Sequence, residues 1–474
     1  MTDAKAAERE YGVLEAVPRE GRHINYIEYM LTWAGASLQP TVWTLGGSLI
    51  CAGFIGGSMA IILASLASGA VLGLTGYIGY KTGASSAGVY RCTLGIRGSK
   101  LVSAAAVINN IGWSAIAYFM AAISLSYIFS KVLGMPAYGE HGSSGTMILG
   151  SVIMVVLTYL GVTIGGSKTL KRFETIMMIA LLVFAGIITA AIAKSLTLSE
   201  ILAFRVPSGY QMSFPVAFNL MFLVGVTYAN VVCDYTRYVK GKAAATTGQV
   251  PGCTLAAYWF CMMGMLGCIV AYNNTGVFDM EAANPATLCM ELGLGIPLLL
   301  VIVFSVVTTS MIDLYSGALA LQNVCGKLKF KVSTLIMAIG AFTLSLVPVY
   351  ITSFFGAFYA FLDILGAIFL PFIVIMIVDF FLRKREYRMD ELEKKEGIYW
   401  FTEGFNACSI VSWVLGIIIF TLFKSLRVCS GSIGYTMATG IAVAAVYYVI
   451  ASIGIKRGYY RLFSPNQKGY LDRY

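Results

Sequence analysis

A chain of 474 residues that is 58% hydrophobic and 12% charged, with a mean hydropathy of +0.79, has too little polar surface for a soluble domain. Its net charge of +10 does not mark a nucleic-acid partner, because the basic residues sit in short loops with no aromatic platform between them. The ten cysteines are scattered singly with no C-x-x-C pair, so they read as buried packing residues rather than disulfides or metal ligands.

Residues 1–25 are polar and mix acids with bases, which reads as a cytoplasmic tail and not a cleavable leader. Twelve apolar stretches follow, at about 26–50, 54–80, 101–130, 146–166, 173–193, 213–233, 250–273, 295–323, 332–349, 354–381, 405–423 and 434–455. Each is near the length of about 20 residues that crosses a hydrocarbon core. Short connections separate them; the largest polar piece is a charged loop at 382–404, and 456–474 form a second cytoplasmic tail. The basic residues test this partition. With the N-terminus inside, only Lys131, Lys194, Arg205, Lys424 and Arg427 fall outside, and the other 28 of the 33 fall inside. The expectation is an all-α integral protein of the plasma membrane with twelve transmembrane helices and both termini cytoplasmic.

Span 1 is interrupted. Within Trp33-Ala34-Gly35-Ala36-Ser37-Leu38-Gln39-Pro40-Thr41-Val42-Trp43-Thr44, small and hydroxylic residues precede a proline at membrane depth. A break there frees backbone carbonyls, which lipid does not tolerate unless they line a cavity or are buried in protein. The alternative is a kinked structural helix. Ten core spans plus two permit two five-helix inverted repeats, residues 26–193 and 194–381, with 405–455 carrying spans 11 and 12. Span 6 is then the counterpart of span 1, and it too has a small, polar run, from Gly225 through Thr227 and Tyr228 to Asn230. Paired interruptions in two halves point to a transporter's binding site; the competing reading of Gly225 is close helix packing.

Span 3 carries Asn109, Asn110 and Trp113, where an amide and an indole one turn apart can meet the edge and face of a planar ligand. Interhelical hydrogen bonding is the alternative for the asparagines, core packing for the indole. On span 8, Ser305, Thr308 and Thr309 share a face, and their hydroxyls with the Ala34 and Ser37 carbonyls would make a five-oxygen cage for a small hard cation. Bonding back to their own helix is the alternative. Asp313 and Asp363 lie within spans, where a carboxylate is costly, and are candidate protonation sites. Asp234, Asp379 and Glu174 stand near span ends beside Arg237, Arg383 and Arg172 and read as solvated or gating pairs. Both histidines, His23 and His141, lie outside the spans, so no histidine relay is available.

With these residues in view the chain resembles the nucleobase:cation symporter-1 family. The resemblance is carried by Gly76-Tyr77-Ile78-Gly79-Tyr80-Lys81-Thr82-Gly83, Tyr90-Arg91, Gly95-Ile96-Arg97-Gly98-Ser99, Ile111-Gly112-Trp113, Asp234-Tyr235-Thr236-Arg237-Tyr238 and Asp379-Phe380-Phe381-Leu382-Arg383-Lys384-Arg385. It implies a LeuT-type 5+5 inverted repeat with discontinuous helices 1 and 6, importing planar heterocycles with sodium or protons and no organic cofactor. It also implies roles: Trp113 as the stacking ring, Asn110 as a substrate amide, Thr308 and Thr309 with Ser305 as sodium hydroxyls, and Ala34 and Ser37 as carbonyl ligands. The family's second stacking aromatic falls at Gly225, with Tyr228 three residues on as the substitute. Its polar position after the threonine pair is Ser310.

The reading is therefore a cation-coupled importer of a nucleobase or related heterocycle, more readily with sodium. The rival is a proton-coupled carrier of a thiamine-precursor, hydantoin or allantoin-type substrate; from another class, a non-transporting sensor or a channel. No nucleophile and base pair appears in the spans, so an enzyme is not expected. Beyond the heterocycle and the bilayer no partner is implied, and the sequence does not fix the oligomeric state.

Overall fold

The computed structural model describes residues 14–164, 166–351, 353–383, 387–395, 397–432 and 434–456, without the side chains of 166–175, 178 and 454–456. Among them all regular elements are helices, with two isolated bridges, Ile24 to Val239 and Thr402 to Phe405. Nine of these helices, 19 to 35 residues long, are apolar enough to cross a membrane. Two shorter apolar helices, Ile179–Ser195 and Phe214–Asn230, and a broken pair, Tyr26–Ser37 and Pro40–Leu49, stand where the other three spans are expected.

In chain order, span 1 is that broken pair, span 2 is Phe54–Thr82, span 3 Ser99–Leu133, span 4 Ser143–Ile164 and span 5 Gly166–Ser195. Span 6 is Phe214–Thr227 with a tight turn, Tyr228–Asn230, and a short helix, Val232–Thr236. Span 7 is Gln249–Thr275, span 8 Ile296–Val324, span 9 Phe330–Ser345, span 10 Phe354–Ile377, span 11 Ala407–Ser425 and span 12 Gly434–Lys456. Span 1 starts at a capping box in which Asn25 and Glu28 satisfy each other's backbone amides, fixing where the helix enters.

Packing sorts the spans into two groups. Span 7 lies along both halves of span 1 and along span 2, and span 6 lies along span 2. Spans 3, 4, 8 and 9 pack on one another, with the longest contact between 3 and 8. Span 5 joins the groups through spans 7 and 8, and span 10 joins span 6 to spans 11 and 12. The relation is reciprocal: 7 packs on 1 as 2 does on 6, and 9 on 3 as 8 on 4.

The contact between spans 1 and 7 depends on missing side chains. A Cβ on Gly46 would lie 2.2 Å from the Cys261 carbonyl, and one on Gly264 would lie 2.1 Å from the Trp43 carbonyl. Small residues let membrane helices approach at backbone distance, where dispersion contacts hold them without a hydrophobic driving force. Trp43 is fully buried against Phe184 and Phe260, so it serves packing.

Span 10 widens at its end into a π-helical turn, Val378–Leu382, that turns Asp379 inward. Its carboxylate is fully buried, 3.2 Å from Arg383 Nη1, and accepts hydrogen bonds from Tyr447 at 2.7 Å and Tyr387 at 2.9 Å. Of the two readings, solvated or gating, burial excludes the solvated one: the pair is part of a closed network tying span 12 to span 10. Asp234 likewise faces protein, accepting from the Ser86 amide at 2.9 Å. Glu174 and Arg172 lie outside the described side chains.

Candidate functional site

The helical path of span 1 stops at Ser37; Leu38 and Gln39 are non-helical, with ψ of 69° and 145°, and Pro40 opens the second half. Proline has no amide hydrogen, so the carbonyl of Ala36 cannot receive the helical bond that would come from residue 40. Two side chains answer it: Tyr228 Oη at 2.9 Å and Gln39 Nε2 at 2.8 Å. The interruptions of spans 1 and 6 are thus joined directly, by a tyrosine in the tight turn of span 6. Its ring also lies edge-on to Trp33, at 5.5 Å between centroids.

This reassigns several expected residues. The Ala34 carbonyl accepts from the Leu38 amide at 3.0 Å and keeps its second lone pair, while that of Ala36 loses its helical donor to the break. Tyr228 was the expected replacement for a stacking ring, yet its hydroxyl is committed to span 1. Gly225 faces span 2, where a Cβ would stand 2.1 Å from Ser68 Oγ, so it allows close packing. Ser37, Ser65, Ser68, Gly225, Tyr228 and Cys253 all line one small cavity between spans 1, 2, 6 and 7.

Trp113 donates from Nε1 to Asn109 at 3.2 Å, and its ring meets Phe358 and Phe361 of span 10 edge-on at 6.2 and 5.4 Å. The indole and amide one turn apart are therefore Trp113 and Asn109. Asn110 bonds back to the Ala106 carbonyl at 2.8 Å and abuts Gly317 of span 8. The ring partners were visible in principle, since Phe354, Phe358 and Phe361 recur at helical spacing in span 10. Nothing local in the sequence pairs them with span 3.

On span 8, Thr308 and Thr309 hydroxyls donate to the Ser305 carbonyl at 2.7 and 3.2 Å. That is the back-bonding alternative, but a hydroxyl that donates its proton keeps its lone pairs for another partner. Ser305 is buried beside them. Ser310 is fully buried and its Oγ has no partner among the described residues. The principal neighbours of span 8 are spans 3, 4, 5 and 9, and those of span 1 are spans 2 and 7. The two halves of the expected cation cage therefore belong to different packing groups.

The two acids separate. Asp363 lies toward the end of the bundle opposite the N-terminus, paired with Lys424 and accepting from Tyr435 Oη at 3.0 Å. Charge pairing removes the reason to read it as a mid-membrane protonation site. Asp313 is half-buried and has no hydrogen-bond or ionic partner among the described residues.

Over residues 16–450 the chain matches the profile of the permeases for cytosine/purines, uracil, thiamine and allantoin. The chain belongs to this permease family. The permease is a multi-pass membrane transporter and not an enzyme. It is 25% identical over 461 residues to the allantoin permease of Bacillus subtilis (strain 168), covering 91% of each chain. With the cytosine permease of Escherichia coli (strain K12) it shares 22% identity over 408 residues, 85% of this chain and 89% of that one.

In structure the permease resembles Mhp1, a nucleobase-cation-symport-1 family transporter, in a closed conformation with bromovinylhydantoin bound. The TM-score is 0.74 at 16% identity, over 98% of this chain and 100% of that one. The inward-facing form of Mhp1 gives 0.71, and a Na+-coupled sialic acid symporter gives 0.56 at 14% identity over 93% and 96% of the two chains. The permease thus has the all-α architecture of cation-symporting membrane carriers expected from its sequence.

Proposed function

We propose that the permease imports a nucleobase or related nitrogen heterocycle across the plasma membrane by symport with sodium, with both termini cytoplasmic. In this reading residues 26–193 and 194–381 are inverted repeats, and the substrate lies at mid-membrane against Trp113. Asn110, Ser310 and the turn from Gly225 through Tyr228 to Asn230 supply the polar surroundings. The observation that carries the reading is the hydrogen bond from Tyr228 to the Ala36 carbonyl, which holds two interrupted helices of different halves together at membrane depth.

Sodium would be taken by the lone pairs of Ser305, Thr308 and Thr309 on one side and by span 1 carbonyls such as Ser37 on the other. Those ligands sit on separately packed groups of helices, so an ion between them draws the groups together. Substrate affinity and ion affinity then rise by the same factor. In proteoliposomes an inward sodium gradient should accelerate uptake of labelled allantoin, cytosine or uracil. Thr309→Ala should abolish most of that response; a variant as sodium-responsive as the parent overturns the sodium assignment.

The unpartnered Asp313 favours one second reading, proton coupling, in which this carboxyl carries the proton. Accumulation without sodium that collapses on adding a protonophore selects it.

A further inference from the structure

Asp313 is a mid-span carboxylate with no hydrogen-bond or ionic partner among the described residues. Its direction follows from its helix. Phe304, Tyr315 and Leu319 are 39%, 45% and 36% exposed and mark the outward side of span 8. Asp313 comes nine residues, about two and a half turns, after Phe304, which puts it on the opposite, inward side. It is half-buried while its neighbours Ser310 and Leu314 are fully buried, so on this inward side the carboxylate keeps some exposure.

Two more polar groups lie near Asp313 in register. Ser310 stands one turn away on span 8. On span 3, Asn110 meets Gly317; by helical register Ser114, one turn on from Asn110, corresponds to Asp313, one turn before Gly317. Ser114 and Ser310 are both fully buried with Oγ atoms that have no partner among the described residues. Tyr118 and Tyr228 lie within electrostatic reach of Asp313. A carboxylate unpaired among the described residues, with two buried hydroxyls beside it that also lack partners there, is a group to which an incoming donor can bind. A buried polar group without a partner costs about 1–3 kcal/mol, and more when charged, so a ligand that supplies N–H groups recovers it.

We infer that Asp313, flanked by Ser114 and Ser310, selects a substrate whose heterocycle carries a cationic nitrogen group, an amidinium, aminopyridinium or ammonium, and pairs with it through N–H donors. The inference rests on the heterocycle-permease reading with sodium as the coupling ion, which leaves the Asp313 carboxylate to answer the charge of the substrate. It is the match of charge that discriminates, because a neutral analogue leaves the carboxylate unpaired in a desolvated site.

The test uses isosteres that differ in charge: benzamidinium against benzamide, and pyridylmethylammonium against pyridylmethanol. Binding to the purified full-length protein is read as ligand-induced thermal stabilisation at fixed sodium. The cationic member of each pair should bind about 30-fold more tightly or better, the scale on which losing one partner of a buried charge pair is felt. Asp313→Asn should erase the preference, and Asp313→Glu should keep part of it.

Equal or weaker binding of the cations by the parent overturns the inference, as does an Asp313→Asn protein with the preference intact, or the absence of binding by either member of both pairs. The comparison within the parent protein stands even where the Asn variant does not fold. The wider reading fails separately. Sodium-driven uptake of neutral allantoin or cytosine alongside indifference to the cations leaves a permease without the charge selection. A cation preference without uptake of any nucleobase-like compound keeps Asp313 in its role and removes the nucleobase assignment.

Discussion

At the residue scale the decisive group is Tyr228. A tyrosine three residues after Gly225 looks like a displaced stacking ring, but its hydroxyl completes the hydrogen bonding of a carbonyl that Pro40 has orphaned. Sequence spacing did not reveal this, because the partner is 192 positions away. Tyr228→Phe keeps the ring against Trp33 and removes only that bond. The Ala36 carbonyl retains Gln39, so the loss should be that of one hydrogen bond, about 1 kcal/mol of unfolding free energy. Thermal unfolding of the solubilised protein measures it. Uptake should fall further than stability does, since the bond joins the interruptions of spans 1 and 6; uptake unchanged in Tyr228→Phe would separate the tyrosine from the transport cycle.

Among elements, the legible features were those with a local cause. Hydrophobic length located the apolar helices, Pro40 located the interruption of span 1, and the helical spacing of Ser305, Thr308 and Thr309 located a hydroxyl face. Illegible were the features set by which helices meet. Trp113 pairs with Asn109 locally but meets its aromatic partners in span 10, and Asp379 reads as a surface acid until a π turn carries it inward. Glycine packing shows the same limit: Gly46 and Gly264 look no different in sequence from Gly186, beside which there is open space. A methyl group at the first two meets backbone, which cannot rotate away. Gly46→Ala and Gly264→Ala should each destabilise by about 1–3 kcal/mol through overpacking, and Gly186→Ala should not. Melting temperatures of the three variants, compared side by side, check this; equal melting would mean spans 1 and 7 part more readily than their contact implies.

For the whole molecule, a transporter must close one end while the other opens, and the segment between spans 7 and 8 bridges the two packing groups at one end. Its short helix Met280–Ala283 lies on the second half of span 1, where a Cβ on Gly47 would reach the Met280 carbonyl at 2.1 Å. Within it Glu281 accepts a hydrogen bond from Tyr138, in the segment between spans 3 and 4, so a link forms between the two packing groups. Burial, with Asp279 nearby adding like charge, raises the Glu281 carboxyl above the ordinary glutamate range, although the Tyr138 hydrogen bond opposes the shift. A carboxyl with a raised value in the closed form binds its proton more tightly there than in the open or unfolded form. Closure is therefore fully favoured below the ordinary glutamate value and loses that contribution as the pH rises through the elevated one. The expected outcome is a closed population that grows as the pH is lowered from 7 toward the glutamate range, read by protection of a cysteine introduced at Thr287, beside Tyr127, from a membrane-impermeant thiol reagent. Glu281→Gln, permanently neutral, should remain protected across that range. If protection in the parent grew with rising pH, or if Glu281→Gln followed the parent, the carboxyl would not be setting the balance between the closed and open ends.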